Sequence, residues 1–191
     1  DAGVQRGVDR LKAATHLQVV GESAEWREVL RKATQVAPTD TTVLITGGSS
    51  GIGRAAAIKV AAAGARTIVV ARKQDELDAV KAEIEKAGGT CFTYSADLAE
   101  MPACDELVKK VLAEHKHVDV LVNNAGRSIR RSVELSYDRF HDYERTMQLN
   151  YFGCLRLIMG FLPEMTRRRR GHIINISSIS VLASSPRFSA Y

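Results

Sequence analysis

From Thr42 onward, short apolar runs alternate with helix-like segments, and this alternation constrains the fold more than any other feature of the chain. Val43-Leu44-Ile45 reads as a buried strand, followed by a helix over residues 54–63. Thr67-Ile68-Val69-Val70 is the next strand, and a charged helix over 74–87 follows it. A third strand is expected at 91–94, a helix at 106–114, and a fourth strand at 118–122. A long helix over 142–169 then precedes a fifth strand at 172–176. Strands that alternate with helices in this way pair in parallel, with helices covering both sheet faces. Right-handed crossovers make an α/β doubly wound parallel sheet, the Rossmann arrangement, the natural topology for residues 41–191.

Residues 1–40 carry no strand signal. They read as a helical extension of two helices, the second capped by Ser23 and ended by Pro38. The balance of 45% hydrophobic and 26% charged residues suits a folded domain and excludes a disordered chain. No apolar run approaches the roughly 18 residues that a membrane helix needs. Cys91, Cys104 and Cys154 are odd in number and widely spaced, which fits reduced thiols and a cytoplasmic protein. His115 and His117 fall at a charged helix end without metal-ligand spacing, so no metal is expected. The net charge of +5 is spread along the chain, apart from runs at 127–131 and 167–170, so nucleic acid is not the expected partner. The second run ends the long helix just before Gly171. Its cations either complement the helix dipole, with the glycine supplying the stop, or meet a phosphate.

The glycine-rich turn follows the first strand directly and opens a helix. Its residues are Thr46, Gly47, Gly48, Ser49, Ser50, Gly51, Ile52 and Gly53. Glycines let the backbone turn sharply and approach a pyrophosphate, and the helix N-terminus offers unpaired amides to it. A mononucleotide P-loop would need Gly-Lys-Ser/Thr where Gly53-Arg54-Ala55 stands, so the dinucleotide reading is favoured over it and over a purely structural turn. The second strand ends in Val70-Ala71-Arg72-Lys73 with no acid at its tip. Arg72, helped by Lys73, would pair a ribose 2′-phosphate, which predicts NADP(H); the alternative is two ordinary surface cations starting a helix. Asp97-Leu98, after the third strand, places a carboxylate where an adenine amino group could donate to it.

Further motifs fall at strand ends in a fixed order. Asn123-Asn124-Ala125-Gly126 ends the fourth strand, Asn150 lies within the long helix, and Ser178 closes the fifth strand thirteen residues before Tyr191. Together they resemble the short-chain dehydrogenase/reductase family over residues 42–191. The resemblance makes Asn123, Ala125 and Gly126 cofactor contacts beside the glycine turn. It makes Tyr191 the general acid/base, Ser178 the group that polarises a carbonyl, and Asn150 the holder of a relay water. A family lysine four residues after the tyrosine would lie past Tyr191, so the domain is expected to be truncated, with doubtful activity of its own. Members pair through the long helix, which implies a homo-oligomer of the complete protein.

Residues 118–191, including Arg127-Ser128-Ile129-Arg130-Arg131 and Gln148-Leu149-Asn150-Tyr151-Phe152-Gly153, are similar to bacterial fatty acyl-CoA reductases. That similarity implies reduction of a long-chain acyl-CoA to a fatty aldehyde with NADPH. Arg127, Arg130 and Arg131 would then meet coenzyme A phosphates, or else form a solvated basic loop. Residues 19–47 instead resemble the lead-in to the P-loop of bacterial enhancer-binding ATPases that act on sigma-54 polymerase. Two alternatives therefore stand beside the reductase: an inert dinucleotide-binding fragment, and, more distantly, a degenerate ATPase-type regulator.

Overall fold

A computed structural model describes residues 41–180, 187–188 and 190. The helices expected within residues 1–40 lie outside the described residues, as does Tyr191. Strands form at each β-branched run: β1 (Thr42–Thr46), β2 (Arg66–Ala71), β3 (Thr90–Ser95), β4 (Val120–Asn123) and β5 (His172–Asn175). They make one sheet in the order β3-β2-β1-β4-β5, and every pairing is parallel. Helices α1 (Gly51–Ala62), α2 (Gln74–Lys86) and α3 (Met101–His115) connect the first four strands. A 3₁₀ turn (Val133–Leu135), α4 (Phe140–Met147), a π-helical segment (Gln148–Gly153) and α5 (Cys154–Arg168) lead into β5.

Side-chain alternation along β1 sorts the core into two layers. Val43 and Ile45 pack with Ala57, Val60 and Ala61 of α1 and with Leu77, Val80 and Ile84 of α2. Leu44 faces the other way, into a cluster with Leu107 and Val111 of α3 and Leu157, Phe161 and Met165 of α5. Sealing a side chain of this size contributes roughly 1.5–3 kcal/mol each. The clusters clamp β1 and β4 from both sides, and every residue of these strands is buried.

The long helix departs from the expected one. It begins at Phe140 rather than Asp142 and widens into the π segment between α4 and α5. At the end of that segment the backbone runs against the loop after β3: a Cβ on Gly153 would lie 2.3 Å from the Leu98 carbonyl oxygen. The helix stop also differs from the expectation. Arg169, not Gly171, takes the left-handed conformation, at φ 51°. Gly171 is small for a packing reason, because a Cβ there would meet Met165 Cγ at 2.5 Å.

The basic run at this helix end serves the base of the sheet. Asp119 is buried; its Oδ2 accepts the Thr42 N–H at 2.9 Å, and its Oδ1 lies 3.0 Å from Arg168 Nη2 and 3.4 Å from Arg170 Nε. The Asp119 backbone bonds Thr42 and His172 at 2.8 Å each, so one residue ties β1, β4, β5 and the end of α5 together. Arg167 pairs Glu164 of its own helix. Chain order reverses direction between β1 and β4. In a doubly wound sheet the crevice at the carboxyl ends of such strands is where ligands bind.

Candidate cofactor and active site

The turn after β1 is built around a buried hydroxyl. Thr46 Oγ1 accepts the backbone N–H groups of Asn124 and Ala125, at 2.9 Å each, and donates to the Val122 carbonyl at 3.3 Å. The Asn124 side-chain amide donates to the carbonyls of Thr46 (3.0 Å) and Gly47 (3.2 Å). The loops that leave β1 and β4 are therefore laced together beneath the crevice. Gly47 must be glycine twice over. Its φ is +63°, and an added Cβ would sit 2.9 Å from Ala125 Cα. Gly53 lets α1 press on the turn, since its Cβ would lie 2.4 Å from the Gly47 oxygen. No acidic residue stands in the first turn of α1, so its positive end faces the crevice without a carboxylate of its own helix.

A cleft of about 380 Å³ opens above this turn. Gly47, Ser49 and Ser50 form one wall, Arg72 and Lys73 another, Asp97 and Leu98 a third, and Ala125 and Gly126 the floor toward β4. Residues expected to hold a dinucleotide thus meet from four separate strand ends. Thr46, Gly53 and Asn123 stand behind the lining as its support: all three are buried, and Asn123 Nδ2 donates to Asn175 Oδ1 across β4 and β5 at 3.0 Å. Gly51 and Ile52 open α1 and are exposed. Asp97 lies two residues past the end of β3, and its Oδ1 accepts the Ala99 N–H at 3.0 Å.

Sequence reasoning missed three participants. Leu149 lines the cleft from the π segment, and Asn124 carries the lacing described above. Glu76 also lines it and accepts from Ser49 Oγ and Lys73 Nζ, at 2.8 Å each. These bonds, that of Lys73 first and that of Ser49 second, hold the Glu76 carboxyl below its ordinary pKa. The Asn pair directly after a strand was a visible signal for Asn124. Glu76 had only its position three residues after Lys73.

The residues expected to carry the chemistry come from β5 and the π segment. Ser178 lies three residues past β5 and is half-buried. Its Oγ accepts the Ser180 N–H at 3.2 Å, which leaves the hydroxyl proton to be donated elsewhere. Asn150 makes a reciprocal pair with the backbone of Arg127, 2.8 Å in each direction, and its Oδ1 would lie 3.6 Å from a Cβ on Gly126. The π segment therefore fixes the loop that floors the cleft, and such segments often mark functional sites.

The three arginines of that loop are placed differently from one another. Arg127 is held through its backbone. Arg130 lies over the Phe188 ring, 6.0 Å from the centroid. Arg131 Nε is 3.3 Å from Asp142 Oδ2.

A nicotinamide dinucleotide fits what is present. The glycine turn brings only glycine and serine to the cleft, no acid stands in the first turn of α1, and the cleft runs from there to cations at the tip of β2. Comparisons with known proteins agree. The family model described as short chain dehydrogenase matches residues 41–191. A fatty acyl-CoA reductase of Acinetobacter baylyi is 58% identical over 148 residues, covering 78% of this chain and 50% of that protein. Another, from Mycobacterium tuberculosis, is 48% identical over 158 residues, covering 81% and 54%. A metagenomic short-chain oxidoreductase solved in complex with NADP superposes with a TM-score of 0.69 at 37% identity, covering 72% of this chain and 62% of that one. The chain spans about half the length of the curated relatives it matches. None of these relatives supports the likeness of residues 19–47 to an ATPase lead-in, and the family match begins only at residue 41. By its glycine turn, its sheet order and this match, the chain belongs to the short-chain dehydrogenase/reductase family.

Proposed function

We propose that the protein carrying this chain is an NADPH-dependent oxidoreductase that reduces a long-chain fatty acyl-CoA to the fatty aldehyde. The observation that carries the cofactor choice is the tip of β2. Arg72 and Lys73 are exposed there on the cleft wall, and no acid ends the strand to accept from a ribose 2′-hydroxyl. The Arg72 guanidinium makes no ion pair among the described residues, while Lys73 is shared with Glu76. Support for the substrate comes from the two fatty acyl-CoA reductases that this chain resembles at 58% and 48% identity.

When bound, the cofactor supplies the hydride. The chain's own residues position it and handle charge and protons. Ser49, Ser50 and the α1 N-terminus would hold its pyrophosphate, Asp97 its adenine, and Ala125 and Gly126 its nicotinamide half. As the new C–H bond forms at the thioester carbon, negative charge grows on oxygen, and Ser178 Oγ–H would be the donor that meets it. Tyr191 gives that oxygen a proton, and the resulting hemithioacetal breaks its C–S bond to release aldehyde and coenzyme A thiol. Asn150 uses each end of its amide once, on Arg127, which leaves one N–H and one lone pair for a relay water.

The test is a pair of binding titrations on the complete protein, NADPH against NADH, for wild type and Arg72→Ala. Wild type should prefer NADPH by at least tenfold, and the variant should lose most of that preference while keeping its NADH affinity. Equal affinities in wild type would refute the NADPH assignment. Aldehyde and free thiol appearing in equal amounts from a long-chain acyl-CoA would complete the reading.

A further inference from the structure

The basic run after β4 invites a phosphate-binding role, yet its side chains are turned to a different task. Arg131 donates its backbone N–H to the Arg187 carbonyl at 2.6 Å, and Arg131 and Phe188 form a parallel β-bridge. Beside them the Arg130 guanidinium covers the Phe188 ring. Arg131 is held in turn by Asp142, a buried side chain near the start of α4 that also binds Arg139 Nε at 3.0 Å and Arg145. At its other end the same stretch is fastened by the reciprocal pair between Arg127 and Asn150.

We propose that Asp142, Arg131 and Arg130 form a clamp that positions the segment leading into Tyr191, so that these arginines serve the placement of the acid/base and not the capture of coenzyme A. This rests on the reading of Tyr191 given above. Phe188 precedes Tyr191 by three residues, a span of at most about 10 Å of extended chain, so anchoring the one restricts the other. Placement matters because displacing a reacting group by about 1 Å can cost roughly 100-fold in rate. Asp142 suits the anchoring role: bonds from Arg139 first, then Arg145, hold its pKa down at about 2, so it stays an anion across the physiological range. The clamp also accounts for the loop's composition. One carboxylate collects the side chains of three arginines, two of them from α4 and its approach, and thereby locks the loop to the helix that runs into the π segment of Asn150.

The test compares Arg131→Met, Arg131→Lys and Asp142→Asn with wild type in the complete protein. The substrates are a long-chain acyl-CoA and the same acyl group as an N-acetylcysteamine thioester, which has no phosphate. A clamp predicts that kcat falls at least tenfold on both thioesters in Arg131→Met and Asp142→Asn. KM for acyl-CoA and the NADPH dissociation constant should stay within about twofold, and Arg131→Lys should recover part of kcat. Hydrogen exchange in the peptide spanning residues 181–191 should quicken in the same variants. A raised KM for acyl-CoA alone, with the phosphate-free thioester unaffected, would overturn the clamp in favour of phosphate binding. Unchanged kcat on both substrates would overturn it outright. Should Asp142→Asn fail to fold, Arg130→Leu, at an exposed side chain, carries the same comparison. Tyr191→Phe keeps the underlying reading separate: retained turnover there means that Tyr191 is not the acid/base, whatever the clamp variants do. If wild type turns over neither thioester, the acyl-CoA reading fails and the same kcat ratios are taken with an aliphatic aldehyde.

Discussion

Replacing Thr46 by valine removes one oxygen and leaves the volume of the side chain nearly unchanged, which isolates the hydroxyl that laces the two cofactor loops. Two N–H groups, those of Asn124 and Ala125, lose their acceptor. An orphaned buried donor costs about 1–3 kcal/mol, and because the residues concerned are half-buried the lower half of that range applies, about 3 kcal/mol for the two together. The added methyl, at a site only 1% exposed, returns up to about 0.8 kcal/mol. The net loss is about 2 kcal/mol, or roughly 4–8 °C in Tm for a domain of this size. Thr67→Val in β2 is the matched control. That threonine is fully buried too, but its Oγ1 only donates, to the Ala65 carbonyl at 3.4 Å, so no N–H is orphaned and the change should stay within about 0.5 kcal/mol. Urea unfolding at constant m-value reads both changes, and a titration with NADPH should show roughly tenfold weaker binding for Thr46→Val alone, about 1.4 kcal/mol. Equal midpoints for the two variants would refute the lacing as a stabilising device. A lowered midpoint with unaltered NADPH affinity would sever it from the cofactor site.

Two further perturbations test the frame on which the site stands. Asp119→Ala should cost about 3–5 kcal/mol by urea unfolding, because it strands Arg168 and the buried Thr42 N–H together, and a loss under about 1 kcal/mol would mean the sheet base relaxes freely. His115 predicts the pH dependence. Burial first, and then the charge of Arg66, push its pKa below the ordinary value of 6.5. Tyr94 Oη lies 2.6 Å from the Glu114 carboxylate and 2.7 Å from His115 Nε2, and Arg66 Nη2 lies 3.4 Å from Nδ1. A neutral ring protonated on Nε2 satisfies all of these contacts. The unfolded chain therefore binds the extra proton first, so stability is full above pH 6.5 and declines as pH falls from there through the folded-state pKa, at no more than about 1.4 kcal/mol per unit. His115→Gln should flatten that decline in unfolding curves taken between pH 7 and 5; an unaltered slope would assign it to other groups.

Strand positions were legible because a strand covered on both faces must be apolar throughout, and β1 and β4 meet that demand at every residue. Helix boundaries were less so. The start of α3 at Met101 was missed by five residues, although Pro102 in the first turn is a start signal. The π segment could not be read at all. Its sequence, Gln148–Gly153, is an ordinary helical run, and the departure comes where Gly153 meets the carbonyl of Leu98, fifty-five positions earlier in the chain. The helix stop at Arg169 has the same character: a non-glycine residue accepts the left-handed conformation where the flanking arginines reach Asp119.

That last case sets a rule for reading charge in this fold. A basic run shows in the sequence, but the carboxylate that claims it can lie far away: Arg168 is paired across 49 positions and Arg131 across 11. Both runs that suggested phosphate lose arginines to a buried aspartate. Each of those acids stands where secondary structure begins, Asp119 just before β4 and Asp142 in the first turn of α4. Arg72 differs because, among the described residues, its side chain has no ion pair with a buried carboxylate. Glu76, an acid on the same cleft, is hydrogen-bonded by Lys73 and Ser49. A surface arginine is therefore a ligand candidate in proportion to what has not claimed it. On that measure the tip of β2 is the stronger anion site, and the loop after β4 belongs to the machinery that holds the site together.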